Sequence, residues 1–451
     1  MNSPPVPSTL PPADRAQRRF YPLRTPTEWI EDYRPGKYHP VHLGDTFKNA
    51  RYKVIRKLGY GSFSTVWLAK DEELHSYVAI KILAASETCT PDEVVILNTL
   101  SQSTLQHPGK QRLVELLDSF EHQGPNGTHL CLVFEVMGPS VATIADRLPA
   151  NILLSGTGQQ SSFPMWMAKS ILRQVLLGID FLHLNNIAHG DLQPGNLLFS
   201  VRDLSSATEE ELSQIQKENT LSEPVRKLDG KVDLWAPRYL ALNQPLTDYV
   251  DFGPKFVIKI SDIGGGFFIS DPPATSVIPL GFRSPELIFE KKVSEDQDIW
   301  SFGCLMFEII TGTPLFAVGS SGEDDAETAD DDLFLQLYDV IGPSPASMLA
   351  QWPRSRIYCN VNGERIKNYV GNLPEDDYFD PDEMIQPLPP LEEYFDQVKP
   401  ADCSDEDADV VKALLRRILQ YDPTKRPSTS ELLQHPWFVD CLSESTEYIK
   451  E

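Results

Sequence analysis

The sequence has no long hydrophobic run and few cysteines. No stretch approaches eighteen consecutive apolar residues and the amino terminus has no apolar core, so we expect neither a membrane span nor a secretory leader. The six cysteines are scattered, without a CxxC pair or a histidine and cysteine cluster at zinc spacing. We therefore expect reduced thiols and a location in the cytoplasm, the nucleus or both.

Basic residues are scarce relative to acidic ones. Forty lysines and arginines stand against sixty-five aspartates and glutamates, which gives a formal charge of −25. This balance argues against nucleic acid or an anionic membrane as a direct partner and permits a basic protein partner. A hydrophobic content of 41% over 451 residues excludes a wholly disordered chain and allows two or three compact units.

Composition and periodicity divide the chain into segments. A proline- and serine-rich start without periodicity predicts a disordered tail, and a change from strand to helix patterns predicts a domain boundary near Met137. An acidic run at 323–332 is expected to be mobile. The predicted segments are a tail at 1–28, an N-terminal domain with an extension at 29–137, a C-terminal domain at 138–440 with insertions near 201–250 and 320–400, and a tail at 441–451.

A strand, a glycine turn and a second strand are predicted at residues 51–70. Gly59 and Gly61 let backbone N–H groups approach phosphate oxygens without a Cβ clash. The β-branched and aromatic run at 65–68 indicates a strand after the turn, whereas a dinucleotide fingerprint needs a helix there. Taken alone, the motif is explained equally well by an ordinary hairpin turn.

Lys81 lies in the otherwise apolar strand Val78–Ile82. A lysine in an apolar setting needs an anion, and a nucleotide phosphate is a natural one. Glu93, in the first turns of a helix predicted over 91–100, is the best candidate partner for Lys81. The alternatives are an edge-strand lysine that reaches solvent and a surface carboxylate near a helix start.

The stretch His189–Leu198 offers a carboxylate at Asp191 and a carboxamide at Asn196. This pairing suits phosphoryl transfer, in which a carboxylate accepts or orients a hydroxyl proton and an amide oxygen binds Mg²⁺. The alternative is a loop aspartate and a turn asparagine that only cap local backbone groups.

Two aspartates compete as the second metal ligand. Asp251 begins a familiar Asp-Phe-Gly tripeptide but precedes the strand predicted over 256–260. Asp262 follows that strand and precedes a glycine-rich turn, where a carboxylate can bridge Mg²⁺ to the β- and γ-phosphates. We therefore predict Asp262 as the ligand, with a turn-initiating role as the alternative.

The order of these motifs resembles that of a eukaryotic protein kinase from about residue 52 to 438. A Pro-Glu motif at 285–286, a D-x-W-S-x-G helix at 298–303 and a D-P-x-x-R-P motif at 422–427 complete the order. The segment at 31–41, together with Gly59–Trp67, resembles the SR-protein kinase family, particularly its divergent fungal members. That family phosphorylates serines in Arg/Ser-rich splicing factors.

The resemblance implies an α+β fold with a small β-rich N-lobe and a larger, mainly helical C-lobe, which binds ATP and Mg²⁺. It implies a protein substrate, basic and Arg/Ser-rich, a role in the regulation of mRNA splicing, and a monomer. Glu286 and Arg426 would form a buried ion pair. The residues it implies for the site are the catalytic Asp191, Lys81 and Glu93, the metal ligands Asn196 and Asp262, and the nucleotide contacts Leu58, Gly59, Tyr60, Gly61, Ser62, Phe63, Ser64, Thr65, Val66, Ala79, Lys81, Glu135, Met137 and Leu198.

Three positions depart from the family pattern. Gly190 replaces an arginine that reads an activation-loop phosphate, so we expect no regulation by phosphorylation of that loop. Gln193 replaces a lysine that neutralises the transferring phosphate, which weakens transition-state stabilisation. Pro279 replaces a threonine that supports the base. Gln193 and Pro279 therefore leave open an ATP-binding pseudokinase that acts as a scaffold. A small-molecule kinase is a further alternative, because residues 189–196 also resemble the loop of aminoglycoside and choline-type kinases.

Overall fold

The computed structural model describes residues 7–85, 92–145, 148, 161–216, 220–318, 326–367, 370 and 387–439. The chain forms two compact units. Among the described residues, no helix combines the length and the apolar character that crossing a bilayer requires. The first unit comprises Met1–Ser101, Val114–Pro139 and Phe199–Phe256, and the second comprises Gln102–Leu113, Ser140–Leu198 and Val257–Glu451.

The first unit is built on a six-stranded antiparallel sheet. Its core side chains come from alternate positions of neighbouring strands, and Val54, Trp67, Ile80 and Val133 are almost fully buried in it. The predicted strands on both sides of the glycine turn and around Lys81 are confirmed. In spatial order the strands are Thr46–Phe47, Tyr52–Gly61, Ser64–Asp71, Ser76–Leu83, Gly127–Phe134 and Leu116–Gly124. The helix Asp92–Gln102 follows the strand of Lys81 in the chain.

The described part of the amino-terminal tail, residues 7–28, packs within the first unit, whereas the sequence predicts a disordered tail. Phe20 is 2% exposed, pairs through its backbone with Lys227, and packs in a cluster with Ile30 and Tyr33. The sequence gives no periodic signal here because, apart from the three-residue 3-10 helix Arg15–Gln17, the described segment is held by isolated side chains and a single backbone bridge.

Residues 201–250 belong with the first unit, whereas the predicted boundaries place them in the C-terminal domain. Leu204, Leu212 and Leu246 are buried in one cluster with Ile55 and Leu68 of the sheet. The helix predicted over 207–218 is limited to Glu209–Leu212, which begins with a capping box at Thr208. The insert therefore covers the strand that leads into the glycine turn.

The second unit is mainly helical, as predicted. The helix Met165–Leu184 packs against Asp296–Thr311, whose Trp300, Phe302 and Phe307 are fully buried. A short antiparallel pair, Ile187–Ala188 with Phe267–Phe268, joins the segment before Asp191 to the segment after Asp262. The described helices of this unit are Val141–Ile144, Met165–Leu184, Pro285–Phe289, Asp296–Thr311, Ala326–Val340, Ala346–Gln351, Ser355–Tyr358, Leu391–Val398, Asp405–Ile418, Thr429–Leu433 and Pro436–Val439.

The acidic run is helical over its described part, residues 326–332. Asp330 accepts from Arg283 (3.2 Å) and from Lys291 (2.7 Å). Asp331 is fully buried against Arg354. Arginine and lysine side chains from other parts of the chain thus offset the repulsion between the neighbouring carboxylates of this run. The acidic residues 375–383, expected to attract arginines, lie outside the described residues.

Candidate active site

The glycine turn connects two long strands of the first unit. Strand Tyr52–Gly61 pairs with Ser64–Asp71, so that Gly59 lies opposite Val66 and Gly61 opposite Ser64. A Cβ built at Gly59 or Gly61 meets no atom within 4 Å among the described residues, so a ligand can approach the backbone here. The turn therefore leaves open space beside the backbone of both glycines, which suits the close approach of a ligand.

Lys81 and Glu93 form an ion pair within the first unit, the pairing that the sequence predicts. Lys81 Nζ lies 2.8 Å from Glu93 Oε1, and their side chains are 11% and 6% exposed. Lys81 lies opposite Val66 on one neighbouring strand and Leu132 on the other, so pairing on both sides fixes the backbone from which its side chain extends. The carboxylate orients an ammonium group that the sheet holds in an apolar setting.

The other predicted nucleotide contacts are divided between the units. Ala79 is buried on the strand of Lys81, and Met137 is buried at the start of the strand Met137–Ser140. Glu135 Oε1 accepts a hydrogen bond from the backbone N–H of Glu115 at 2.8 Å. Leu198 is half-buried on the strand Leu197–Ser200 and lies in the second unit. The remaining residues lie in the turn and its flanks, where Tyr60, Gly61, Ser62 and Phe63 are exposed, Leu58, Gly59 and Val66 are half-buried, and Ser64 and Thr65 are buried.

In the second unit, two amide groups hold the carboxylate of Asp191. Asn196 Nδ2 donates to Asp191 Oδ2 at 3.0 Å and to the Asp191 backbone oxygen at 2.8 Å. Gln193 Nε2 donates to Asp191 Oδ1 at 2.9 Å. Because the nitrogen of Asn196 makes both bonds, its amide oxygen is the atom through which Asn196 can bind a cation.

The pKa of Asp191 lies above the usual value for an aspartate. Burial is the main cause, and the nearby charge of Asp262 adds to it. The interaction with His189 and the hydrogen bonds from Asn196 and Gln193 oppose this effect. A partly desolvated carboxylate with a raised pKa is a stronger base than a hydrated one, as a proton acceptor requires.

Asp262 is placed next to Asn196 by backbone hydrogen bonds. The backbone N–H of Ser261 donates to the backbone oxygen of Asn196 at 2.8 Å, and the Ser261 hydroxyl donates to the same backbone oxygen at 3.0 Å. Asp262 follows the strand Ile258–Ile260, as predicted, and has a left-handed backbone with φ of 59°. A non-glycine residue in this region is strained, and such strain is concentrated at functional sites.

Asp298 anchors the loop that carries Asp191, a role that the sequence analysis missed. This fully buried carboxylate accepts from the backbone N–H groups of His189 (2.7 Å) and Gly190 (2.9 Å) and contacts His183 Nε2 at 3.0 Å. Burial alone would raise the pKa of Asp298, but these partners lower it below the usual value. The D-x-W-S-x-G motif contains Asp298 and was the available signal.

The structure explains why glycine occupies position 190. Gly190 has a φ of 72°, and a Cβ there would lie 2.1 Å from the backbone oxygen of Gly265. Any side chain at position 190 would therefore strain the backbone and overlap the backbone at Gly265, in the segment that follows Asp262. The arginine of the family pattern is excluded at this position by the close approach of these two segments.

Comparison with known proteins identifies the class. The family described as protein kinase domain matches residues 52–438, and the chain belongs to this family. A solved crystal structure of a kinase domain has the same fold, with a TM-score of 0.59 and 23% identity over 89% of this chain and 98% of that one. The predicted α+β kinase fold is confirmed.

Curated relatives narrow the assignment to the SR-protein kinase group of serine/threonine protein kinases. The serine/threonine-protein kinase SRPK of Physarum polycephalum is 31% identical, over 92% of this chain and 91% of that protein. Protein kinase dsk1 of Schizosaccharomyces pombe is 28% identical over 92% and 85%. Human SRSF protein kinase 3 is 26% identical over 90% and 89%. These matches favour an active protein kinase over a pseudokinase and over a small-molecule kinase.

Proposed function

We propose that this kinase transfers the γ-phosphoryl group of ATP to serines in Arg/Ser-rich proteins. The observation that carries the proposal is the convergence, in the second unit, of Asp191, Asn196 and Asp262. The Asn196 side chain donates to the Asp191 carboxylate, and the Asn196 backbone oxygen accepts from Ser261, the neighbour of Asp262. Two carboxylates and an amide thereby lie in neighbouring segments, and these are the groups that Mg²⁺-dependent phosphoryl transfer uses as base and metal ligands.

Each residue has a proposed role. Asp191 accepts the proton of the acceptor hydroxyl, and Asn196 and Asp262 hold Mg²⁺ through their side-chain oxygens. In the first unit, Lys81, oriented by Glu93, holds the α- and β-phosphates, while the glycine turn covers the phosphates with backbone N–H groups. Bound ATP and Mg²⁺ supply the phosphoryl group and neutralise its charge.

The choice of substrate rests on the relatives and on charge. Two of the relatives bear the names SRPK and SRSF protein kinase. A formal charge of −25 favours association with arginine-rich chains. We further propose that the protein acts as a monomer, in the nucleus or the cytoplasm, and takes part in the regulation of mRNA splicing.

Matched peptides test the proposal. Purified protein is given labelled ATP, Mg²⁺ and an Arg/Ser peptide, and in parallel a Lys/Ser peptide of equal length and charge and an Arg/Ala peptide without acceptors. We expect transfer to the Arg/Ser peptide that requires Mg²⁺ and is lost in Asp191→Ala. Transfer no higher than in that variant would refute the kinase function. Equal rates on the Arg/Ser and Lys/Ser peptides would refute only the substrate class.

A scaffold function is the second candidate, because Gln193 and Pro279 replace the lysine and the threonine that support phosphoryl transfer in the family pattern. It predicts ATP binding without turnover. Turnover that Asp262→Ala abolishes, with ATP still bound by the unaltered protein, would exclude it.

A further inference from the structure

The glycine turn receives contacts from a segment that lies before the sheet in the chain. The Tyr38 hydroxyl donates a hydrogen bond to the backbone oxygen of Gly61 at 2.5 Å. Lys37 Nζ lies 5.3 Å from the centroid of the Phe63 ring. Tyr38 is only 4% exposed, so its hydroxyl reaches the turn from a fixed position. The amino-terminal extension thus contacts the turn directly.

A buried ion pair anchors this segment to the strand that enters the turn. Lys57, in strand Tyr52–Gly61, pairs with Glu28, and Glu28 also accepts from the Tyr33 hydroxyl at 2.6 Å. The Tyr33 ring contacts the Tyr38 ring edge to face, with centroids 5.7 Å apart. Because separating a buried ion pair leaves an unpaired charge in an apolar setting, residues 28–38 are held firmly against this strand.

The insert binds the same strand at the same residue. The backbone N–H of Lys57 donates to Gln214 Oε1 at 3.0 Å, and the backbone N–H of Gln244 donates to the Lys57 oxygen at 2.9 Å. Asn126 joins the two segments, since its Nδ2 donates to the backbone oxygens of Tyr38 (2.6 Å) and Trp235 (2.8 Å). The extension and the insert are therefore fixed to each other as well as to the strand.

We propose that residues 28–38, 209–216 and 220–244 form a loop clamp that fixes the glycine turn for ATP binding, with Tyr38 as a positioning residue. The turn itself has little to order it, because it contains two glycines and its large side chains, Tyr60 and Phe63, are 43% and 51% exposed. Restraints from outside the turn reduce the conformational entropy that nucleotide binding must remove. The proposal depends on the proposed function only in naming ATP as the ligand.

Tyr38→Phe isolates the hydrogen bond, because it keeps the ring that packs on Tyr33 and removes only the hydroxyl. We expect the Kd for a fluorescent ATP analogue and the KM for ATP to rise about threefold to tenfold, the range of one hydrogen bond. We expect kcat to change less than about twofold, because Asp191 and its amide partners are untouched. Tyr21→Phe is the matched control, since Tyr21 lies just before the segment 28–38, is 54% exposed, and its loss of a hydroxyl should leave the Kd and the KM for ATP unchanged.

Binding is also measured in an Asp191→Ala background, with and without Tyr38→Phe, so that the result does not depend on turnover. The clamp would be overturned if Tyr38→Phe changed the Kd for the analogue by less than about twofold, both with Asp191 present and in the Asp191→Ala background. A fall in kcat with an unchanged KM for ATP would overturn it as well. Protein that binds the analogue but transfers no phosphate would disprove the kinase function alone, and the Kd comparison would still decide the clamp. Protein that binds no ATP analogue would refute both.

Discussion

Arg426 and Glu286, 140 residues apart in the chain, form a bidentate ion pair with Nη1–Oε1 and Nη2–Oε2 distances of 2.7 and 2.6 Å. Their side chains are 0% and 1% exposed. The same guanidinium donates to the backbone oxygens of Gln420 and Asp296. The pair thus joins the segment around Arg426 to the helix Pro285–Phe289 and to the start of Asp296–Thr311, and it is the pair that the resemblance to protein kinases implies.

Arg426→Ala should lower the free energy of unfolding by about 3 to 5 kcal/mol, because it leaves the Glu286 carboxylate buried without its partner. Urea denaturation of the purified protein measures the change. Lys425→Ala, at an adjacent side chain that is 68% exposed, serves as the control and should change stability by less than about 0.5 kcal/mol. Equal losses for both variants would show that the pair contributes nothing specific.

The pH dependence of catalysis should report the raised pKa of Asp191. The base must be ionised, so kcat/KM falls as pH decreases through that pKa, and the acid limb should lie above the range of an ordinary aspartate, about 3.9. Gln193→Met removes a hydrogen bond that lowers this pKa, so it should move the limb to still higher pH. A limb that moves to lower pH in this variant would contradict the assignment of Asp191 as the base.

The same pKa shift predicts that Asp191 destabilises the fold at neutral pH. A carboxyl group with a raised folded-state pKa favours folding only below its unfolded-state pKa, and that contribution is lost as pH rises through the folded-state pKa. Asp191→Asn, which is neutral at every pH, should therefore raise the Tm at pH 7 while abolishing activity. The gain should shrink as pH falls toward the unfolded-state value. A lower Tm for Asp191→Asn at pH 7 would show that the hydrogen bonds to the carboxylate outweigh its burial.

Gln193→Lys should increase kcat, because it places a cation next to Asp191, where charge develops on the transferring phosphate. We expect a gain on the order of tenfold, measured with saturating ATP and peptide, with little change in the KM for ATP. Gln397→Lys makes the same charge change at an exposed position far along the chain and should leave kcat unchanged. A kcat for Gln193→Lys at or below that of the unaltered protein would mean that the amide bond to Asp191 matters more than the added charge.

Gly190→Ala should lower both stability and activity. The left-handed backbone adds about 1 to 2 kcal/mol of strain, and the new Cβ must displace the Gly265 oxygen, which lies 2.1 Å away. Thermal unfolding and kcat measure the two effects. Gly195→Ala is the matched control in the same loop, because the nearest atom to its Cβ would be Gln193 Oε1 at an ordinary 3.7 Å. If Gly190→Arg restored control by phosphorylation with an unchanged Tm, the steric explanation would be wrong.

The sequence by itself determined the family, the order of the site residues and the main elements. The glycine turn, the apolar strand of Lys81, the loop of Asp191 and the helix around Trp300 each carry a local pattern, because strand alternation, turn glycines and helical periodicity are short-range properties of the chain. The choice of Asp262 over Asp251 came from the same source, since the residue that follows a strand can be identified from neighbouring residues alone.

Only the tertiary structure decided what depends on distant contacts. Partners more than 100 residues away in the chain determine how the insert packs against the strand of Lys57 and how residues 7–28 are placed. The acidic run is stabilised as a helix by ion pairs that no local pattern reveals. The glycine at 190 is required because the Gly265 oxygen comes within 2.1 Å of where a Cβ would stand. The burial that raises the pKa of Asp191, and the hydrogen bonds from distant residues that lower the pKa of Asp298, exist only after the chain has folded.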